Sequence, residues 1–212
     1  MNGVRARVLS TLAGQLGNPH GVLGKGVAFM LNRGNKRAIA AAVTAAAISD
    51  GETAADLGFG GGAGLSLLLE RVGADGIVHG VELSADMLAR ARSGYPRETA
   101  SGRLKLAEGS LTALPLADDT LDAAITVNTI YFITDLDAVC AELARVVRPG
   151  GRVVIGIGDP DTMAKLPFTG YGFTLRPVAD VIAALAKSGC TVTHEQLPHP
   201  PIPHHLLIAR PA

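Results

Sequence analysis

The run Asp56-Leu57-Gly58-Phe59-Gly60-Gly61-Gly62 is the part of this chain in which residue types and spacing most clearly suggest chemistry. Gly58, Gly60 and Gly62 let the main chain approach a ligand with no Cβ in the way, so that backbone N–H groups and a helix N-terminus can face it. The second element is Glu82, 24 positions after Gly58. A carboxylate at the end of the following strand is placed to accept the hydroxyls of a ribose. Loop and acid together point to a ligand containing adenosine, without separating a dinucleotide from S-adenosylmethionine.

The elements that must position these residues are legible from periodicity. Thr53–Leu57 reads as a strand feeding the loop, and the helix after it carries Leu65, Leu68, Leu69 and Val72 on one face. Ile77–Val81 is a second strand ending beside Glu82, and Ser84 caps a helix bearing Met87, Leu88 and Ala91. Leu104–Ala107 and Ala123–Val127 are a third and a fourth strand. A helix from Asp135 keeps Leu136, Val139, Cys140, Leu143 and Val147 in register and stops at Pro149-Gly150-Gly151, and Arg152–Ile157 gives a fifth strand. Strands alternating with helices imply βαβ units and a parallel sheet.

The ends differ from this alternation. Pro177 opens a helix with Val178, Val181, Ile182 and Leu185 on its stripe, closed by Gly189. The strands near Thr191–Gln196 and His205–Ala209 are joined by a Pro-rich link too short for a helical crossover, so they pair antiparallel. Ahead of the first strand, Val4, Val8, Leu12 and Leu16 mark a helix over residues 3–16, and a second starts near Asn35 and runs through Ile48. The expected class is α/β: a Rossmann-like, doubly wound, seven-stranded and mostly parallel sheet with an antiparallel last strand, plus N-terminal helices. Residues 1–49 are expected to form a helical cap or lid, and 50–212 one cofactor-binding unit.

Bulk properties narrow the partners. The chain has 212 residues, 48% of them apolar, and a net charge of +0, which argues against a nucleic-acid backbone as partner. Aromatic residues at 4%, with no Trp, leave little material for stacking bases. Neutrality hides an asymmetry: residues 1–49 contain Arg5, Arg7, Lys25, Arg33, Lys36 and Arg37 and no acid. Such a segment suits an anionic substrate, a membrane surface or RNA, and more often is a solvated helical face. Cys140 and Cys190 lack metal-ligand spacing, and Cys140 falls on an apolar helical stripe, as a buried thiol would. Arg5, Arg7, Gly14 and Asn18 interrupt any apolar signal region, and Ala38–Ile48 is far short of a membrane span, so a cytoplasmic protein is expected.

With these residues in place the sequence resembles the class I methyltransferases that use S-adenosylmethionine, small-molecule type. Ala55 to Gly62 matches their first motif, acid-x-Gly-x-Gly-x-Gly, and Val78 to Ser84 resembles their second strand with its acidic end. Glu108-Gly109-Ser110 through Leu114-Pro115-Leu116 and Leu121-Asp122 is similar to the segment around their third and fourth strands. Val146 to Gly151 resembles the turn before their fifth. The resemblance implies that Asp56 and the backbone of Gly58, Phe59, Gly60 and Gly62 hold the methionine end of the cofactor, that Glu82 takes the ribose, and that Leu83 packs on the adenine. It implies that Gly109, Ser110 and Leu111 border the adenine's other edge, and that Asn128 lies near the amino-acid end or the transferring methyl. Ser110 stands where the family commonly has an acid, and its hydroxyl accepts hydrogen bonds without charge assistance.

Two other classes compete. A nicotinamide-dependent oxidoreductase would place its first strand close to the N-terminus and want a Tyr-x-x-x-Lys pair, whereas Tyr131 is followed four positions on by Asp135. A non-catalytic ligand-binding protein could use the same fold. Methyl transfer needs mainly alignment of a nucleophile behind an already activated carbon, so no strong catalytic motif is expected. Substrate-side candidates are Asn18, His20 and Asn35, then Asn128 and Tyr131, then Phe168, Tyr171 and Phe173. Among them His20, Tyr131 and Tyr171 are the candidates for catalysis. His194, His199, His204 and His205 are expected to cluster in sequence only, at the surface or a sheet end, and no metal is expected. The expected partner is a small methyl acceptor, lipophilic or anionic.

Overall fold

The strand expected ahead of the glycine loop forms over Thr53–Leu57 (β1), and the rest of the sheet is built outward from it. The computed structural model describes residues 35–198 and 202–212, together with Arg7, Ser10, Thr11 and Gly14, all four of which are helical. Residues 35–45 form a helix (α1), followed after β1 by Ala63–Arg71 (α2), Ile77–Glu82 (β2), Ala85–Gly94 (α3) and Pro96–Ala100 (α4). Then come Leu104–Glu108 (β3), Leu121–Val127 (β4), a 3-10 turn at Ile130–Phe132, Leu136–Val146 (α5) and Val147–Gly158 (β5). Pro160–Met163 (α6), Val178–Lys187 (α7), Cys190–Leu197 (β6) and His204–Pro211 (β7) complete the described chain.

The seven strands lie in the order β3-β2-β1-β4-β5-β7-β6. β1 pairs in parallel with β2 and β4, β2 with β3, and β4 with β5, while β7 runs antiparallel between β5 and β6. Alternation of side chains across each strand divides the core in two. On one face Ala54, Val78, Ile125 and Leu206 meet Ala42 and Val43 of α1, Leu65 and Leu68 of α2, and Met87 and Leu88 of α3. On the other, Ala55, Leu57, Ile155 and Leu207 meet Val139, Cys140 and Leu143 of α5 and Val181 and Leu185 of α7. The fold class is therefore the expected one. Cys140 and Cys190 are both buried, and burial pushes the Cys140 thiol up to about 12, as suits a structural position.

Caps end the helices where the sequence marks them. Ser84 Oγ accepts from Met87 N at the start of α3, and Asp135 caps α5 through Ala138 N at 2.9 Å. Two boundaries move. The stripe that reaches Val147 in the sequence stops one residue earlier, because Val147 pairs with Leu121 and opens β5. Pro149-Gly150-Gly151 then lies inside β5 as an irregularity, with Gly150 at φ 77, a place where a strand tolerates a residue lacking an N–H. The helix expected to run through Ile48 closes at residue 45, and Ala47 turns to φ 45.

Arg152 explains that early end. Its guanidinium donates to the carbonyls of Ala46 and Ala47 and pairs with Glu52 at 2.8 Å, with only 11% of its side chain exposed. A cation there satisfies the carbonyls just past the end of α1 and complements its dipole. Arg152→Ala is expected to cost about 1–3 kcal/mol, the penalty of leaving buried polar groups unpaired. The check is a lowered urea midpoint, with faster amide exchange confined to residues 38–46.

Candidate active site

The carboxyl end of the parallel strands gathers the residues that the sequence singles out. Asp56 lies on the α2 face of β1 and is only 5% exposed. Gly64, in the first turn of α2, packs directly on it: a Cβ at Gly64 would stand 2.1 Å from Asp56 Oδ2. Among the described residues Asp56 has no hydrogen-bond partner. Burial, aided by the charge of Glu82, pushes its carboxyl up to about 8.

Glu82 is satisfied in a different way. Its Oε2 accepts from Gly60 N at 2.8 Å, and its Oε1 accepts from Leu83 N and Ser84 N at 2.8 and 2.9 Å. One carboxylate thus joins the glycine loop to the β2–α3 turn. Gly58 has φ 76, and a Cβ there would fall 2.5 Å from Thr129 Cγ2, so the loop can sit against the end of β4 only with glycine at this position. Leu83, beside Glu82, is 54% exposed, an unusual position for a leucine and one suited to stacking on a flat ligand. Tyr95 donates to the carbonyl of Gly62 at 3.3 Å, and a cavity of about 300 Å³ behind the loop is lined by Phe59, Met87, Arg90 and Tyr95 among others.

Other expected residues sit differently. Phe59 and Leu111 are buried in the two halves of the core, so their side chains serve packing. Gly109 packs on Pro115, where a Cβ would meet Cδ at 2.6 Å. The Ser110 hydroxyl is already engaged, lying 2.8 Å from Thr112 Oγ1 and accepting from Thr112 N at 3.2 Å. Asn128 follows β4 in the left-handed region, φ 58, which asparagine tolerates better than most residues. Its Oδ1 accepts from the Tyr131 hydroxyl and Gly158 N at 3.0 and 3.2 Å, and its Nδ2 donates to Asn35 Oδ1 at 3.0 Å and faces His204 Nε2 at 3.3 Å. Tyr131 is buried, its hydroxyl raised well above the usual range by desolvation. Tyr171 is half-buried in the connection after β5. Asn18 and His20 lie outside the described residues.

The histidines need a correction. His194 and His205, expected to be neighbours in sequence only, come together across the β6–β7 hairpin with Nε2 and Nδ1 2.8 Å apart, and His205 Nε2 lies 3.2 Å from Asp159 Oδ2. They are diagonal neighbours in the register His194↔Leu207 and Gln196↔His205, within reach of long side chains. His199 is outside the described residues. No group of three potential metal ligands occurs among the described residues.

Residues 55–155 match the family model described as a methyltransferase domain. The matched stretch runs from β1 into β5. The resemblance of the sequence to methyltransferases implies S-adenosylmethionine as cofactor. Among curated proteins, an arsenite methyltransferase of Halobacterium salinarum is 33% identical over 123 residues, 58% of this chain and 30% of that protein. A 2-phytyl-1,4-naphtoquinone methyltransferase of Nostoc punctiforme is 32% identical over 114 residues, 54% of this chain and 50% of that protein. The chain therefore spans from 30% to 50% of the length of these relatives. Among solved structures, geranyl diphosphate C-methyltransferase from Streptomyces coelicolor A3(2), in complex with Mg²⁺, geranyl diphosphate and S-adenosyl-L-homocysteine, superposes with TM-score 0.73 over 93% of this chain and 88% of its own, at 15% identity. That likeness is one of fold. Among the described residues no helix is long and apolar enough to cross a membrane.

The site fits this cofactor in one telling respect. A buried carboxyl with no partner among the described residues lies under the loop, and the donor brings a sulfonium and an ammonium, both positive. Gly64 contributes the space for that carboxyl. Its signal in the sequence was a glycine in the first turn of a helix, where it costs about 1 kcal/mol relative to alanine and so marks a close approach.

Two substitutions test the geometry. Gly64→Ala should leave the protein folded yet displace the Asp56 carboxyl, weakening S-adenosylmethionine binding at least tenfold in calorimetry. Asp56→Asn should stabilise the cofactor-free protein in a pH-dependent way. Between about pH 4 and pH 8 the unfolded chain gives up the Asp56 proton and the folded chain keeps it, so this group's contribution to stability falls as pH rises and levels off above 8. The Tm advantage of Asp56→Asn over the unsubstituted protein should accordingly be larger at pH 8 than at pH 5.

Proposed function

We propose that the chain is an S-adenosylmethionine-dependent methyltransferase that moves a methyl group to a small lipophilic acceptor by in-line displacement. The observation that carries this reading is the buried Asp56 carboxyl beneath the glycine loop, which a cationic donor would convert to a carboxylate. When bound, the donor supplies a methyl carbon already activated by its sulfonium. What remains for the protein is alignment, worth about 7–11 kcal/mol in the best intramolecular cases.

The geometry supports the residue roles that the resemblance implies. Asp56 and the backbone of Gly58 to Gly62 hold the methionine end. Glu82 takes the ribose, and its arithmetic is tight: a carboxylate offers about four acceptor directions, and Gly60, Leu83 and Ser84 use three of them. One ribose hydroxyl binds directly, and a second takes the place of the Gly60 N–H. Leu83 packs on the adenine, with Gly109 and Ser110 along its other edge. Asn128 supports the methionine end through its neighbour Thr129, which packs on Gly58.

The acceptor class is argued from an aromatic wall. Tyr131, Phe132, Phe168 and Phe173 meet in edge-on and tilted contacts with ring centroids 4.7–6.3 Å apart, after the ends of β4 and β5. Half of the chain's 5 Phe and 3 Tyr are thus spent at one place. Such a surface favours an apolar or planar molecule. Arsenite suits the site poorly, because trivalent arsenic seeks thiolates and both cysteines are buried with raised pKa values. A second reading, in which the acceptor carries an anionic end, is favoured by the exposed Lys36 and Arg37 beside Asn35 at the rim.

Incubation with S-adenosylmethionine and a panel of reduced 2-phytyl-1,4-naphthoquinone, geranyl diphosphate and arsenite with thiol is expected to give S-adenosylhomocysteine with a prenylated acceptor. Turnover of arsenite alone, or tight donor binding with no turnover across a wider lipophilic panel, would refute the assignment. Neutralising Lys36 and Arg37 should raise KM for the diphosphate selectively if the anionic reading holds. Donor binding near pH 7 should also release close to one proton, measured by calorimetry in buffers of different ionisation enthalpy, and Asp56→Asn should abolish the release.

A further inference from the structure

β3 and β4 are parallel strands separated in the sheet by β2 and β1, and a crossover of that kind is usually made by a helix. Here residues 109–120 make it without one. Such a segment has no helical ladder to satisfy its own backbone, so its N–H and C=O groups need partners from elsewhere. α5 supplies them from two side chains. Arg145 Nε and Nη2 donate to Glu142 Oε1 and Oε2 at 2.7 and 2.8 Å, a two-pronged ion pair. The same guanidinium also holds the loop: Nη2 donates to Leu114 O at 3.2 Å and Nη1 to Leu116 O at 2.8 Å. Glu142 Oε2 accepts in addition from Leu114 N at 2.7 Å. The contact with Arg145 keeps the Glu142 carboxyl below the usual carboxylate range, so the pair is charged at neutral pH.

The groups held in this way flank Pro115, and Pro115 lies against Gly109: a Cβ at Gly109 would stand 2.6 Å from Pro115 Cδ. Gly109 N in turn donates to the carbonyl of Glu82 at 3.2 Å. β2 and β3 end side by side in the register Glu82↔Glu108, so residues 109 and 110 leave the sheet next to Leu83 with its exposed side chain. We propose that Glu142 and Arg145 are positioning residues for the adenosine end of the cofactor, acting through Pro115 and Gly109, a role that rests on the methyltransferase reading above. Lysine cannot stand in for Arg145, because an ammonium has no planar fork to span a carboxylate and two carbonyls. Asp118, the remaining partner of Nη1 at 2.7 Å, contributes little: its side chain is 73% exposed, and exposed ion pairs are weak.

The test is calorimetric titration with S-adenosylhomocysteine and with methylthioadenosine, which keeps the adenosine end and lacks the amino-acid end. Arg145→Lys and Glu142→Gln should each raise Kd for both ligands alike, by about tenfold, as the fraction of molecules with the loop in place falls. Asp118→Asn should leave both values within about twofold. Pro115→Ala breaks the route without touching the ion pair, and in that background Arg145→Lys should add less than about twofold, as expected of residues acting in series. Should Arg145→Lys fail to fold, Glu142→Gln, which keeps an acceptor for Leu114 N, takes its place in the cycle. An unchanged Kd with a lowered Tm and fewer binding-competent molecules marks a purely structural pair and overturns the proposal. Full additivity with Pro115→Ala, or a loss confined to S-adenosylhomocysteine, overturns it as well, and all three outcomes leave the methyltransferase reading standing. An unsubstituted protein that binds neither ligand overturns both.

Discussion

One carboxylate, that of Glu82, holds the cofactor end of this fold together. Its contact to Gly60 N–H joins the glycine loop to β2, alongside the backbone bond from Gly58 N to Val81 O at 2.7 Å and the packing of Phe59 on Gly80. The same side chain orders Leu83 and Ser84, and Ser84 in turn caps α3. Its charge is met entirely by main-chain donors, which keeps it compatible with burial. The cost appears at its neighbour: Asp56 sits in an apolar environment facing a like charge, and keeps its proton until something positive arrives. Two neighbouring acids are thus given different tasks by their surroundings alone.

Asn128 plays the matching part at the end of β4. Forced into a left-handed backbone conformation just past β4, it makes its contacts to α1, to the turn carrying Tyr131, to β5 and to β7 from a single amide. Such a residue is a poor ligand group and a good junction, because every hydrogen-bonding direction it has is committed. The aromatic wall is anchored through it, since Tyr131 belongs to both. The glycine loop and the end of β4 meet where Thr129 rests on Gly58.

What the sequence made legible was whatever is encoded locally. Asp56, the loop glycines and Glu82 follow from one strand–turn–helix pattern and its next strand, and Ser84 was readable as a cap because a cap acts within three residues. The misplaced boundaries have non-local causes. Arg152 ends α1 from 106 positions away, and Val147 leaves a helical stripe because Leu121 offers it a strand partner. The meeting of His194 with His205 depends on the register of a hairpin whose link is rich in proline, which periodicity does not fix. Gly64 was visible as a helix-weakening residue, yet the carboxyl it makes room for appears only when β1 and α2 are packed.

α1 is held at both ends. Arg152 grips its final carbonyls at the far edge of the sheet, and Asn35, at its other end, touches Asn128 at the rim of the site. Eleven helical residues, about 16 Å long, thus cross the depth of the sheet as a fixed strut.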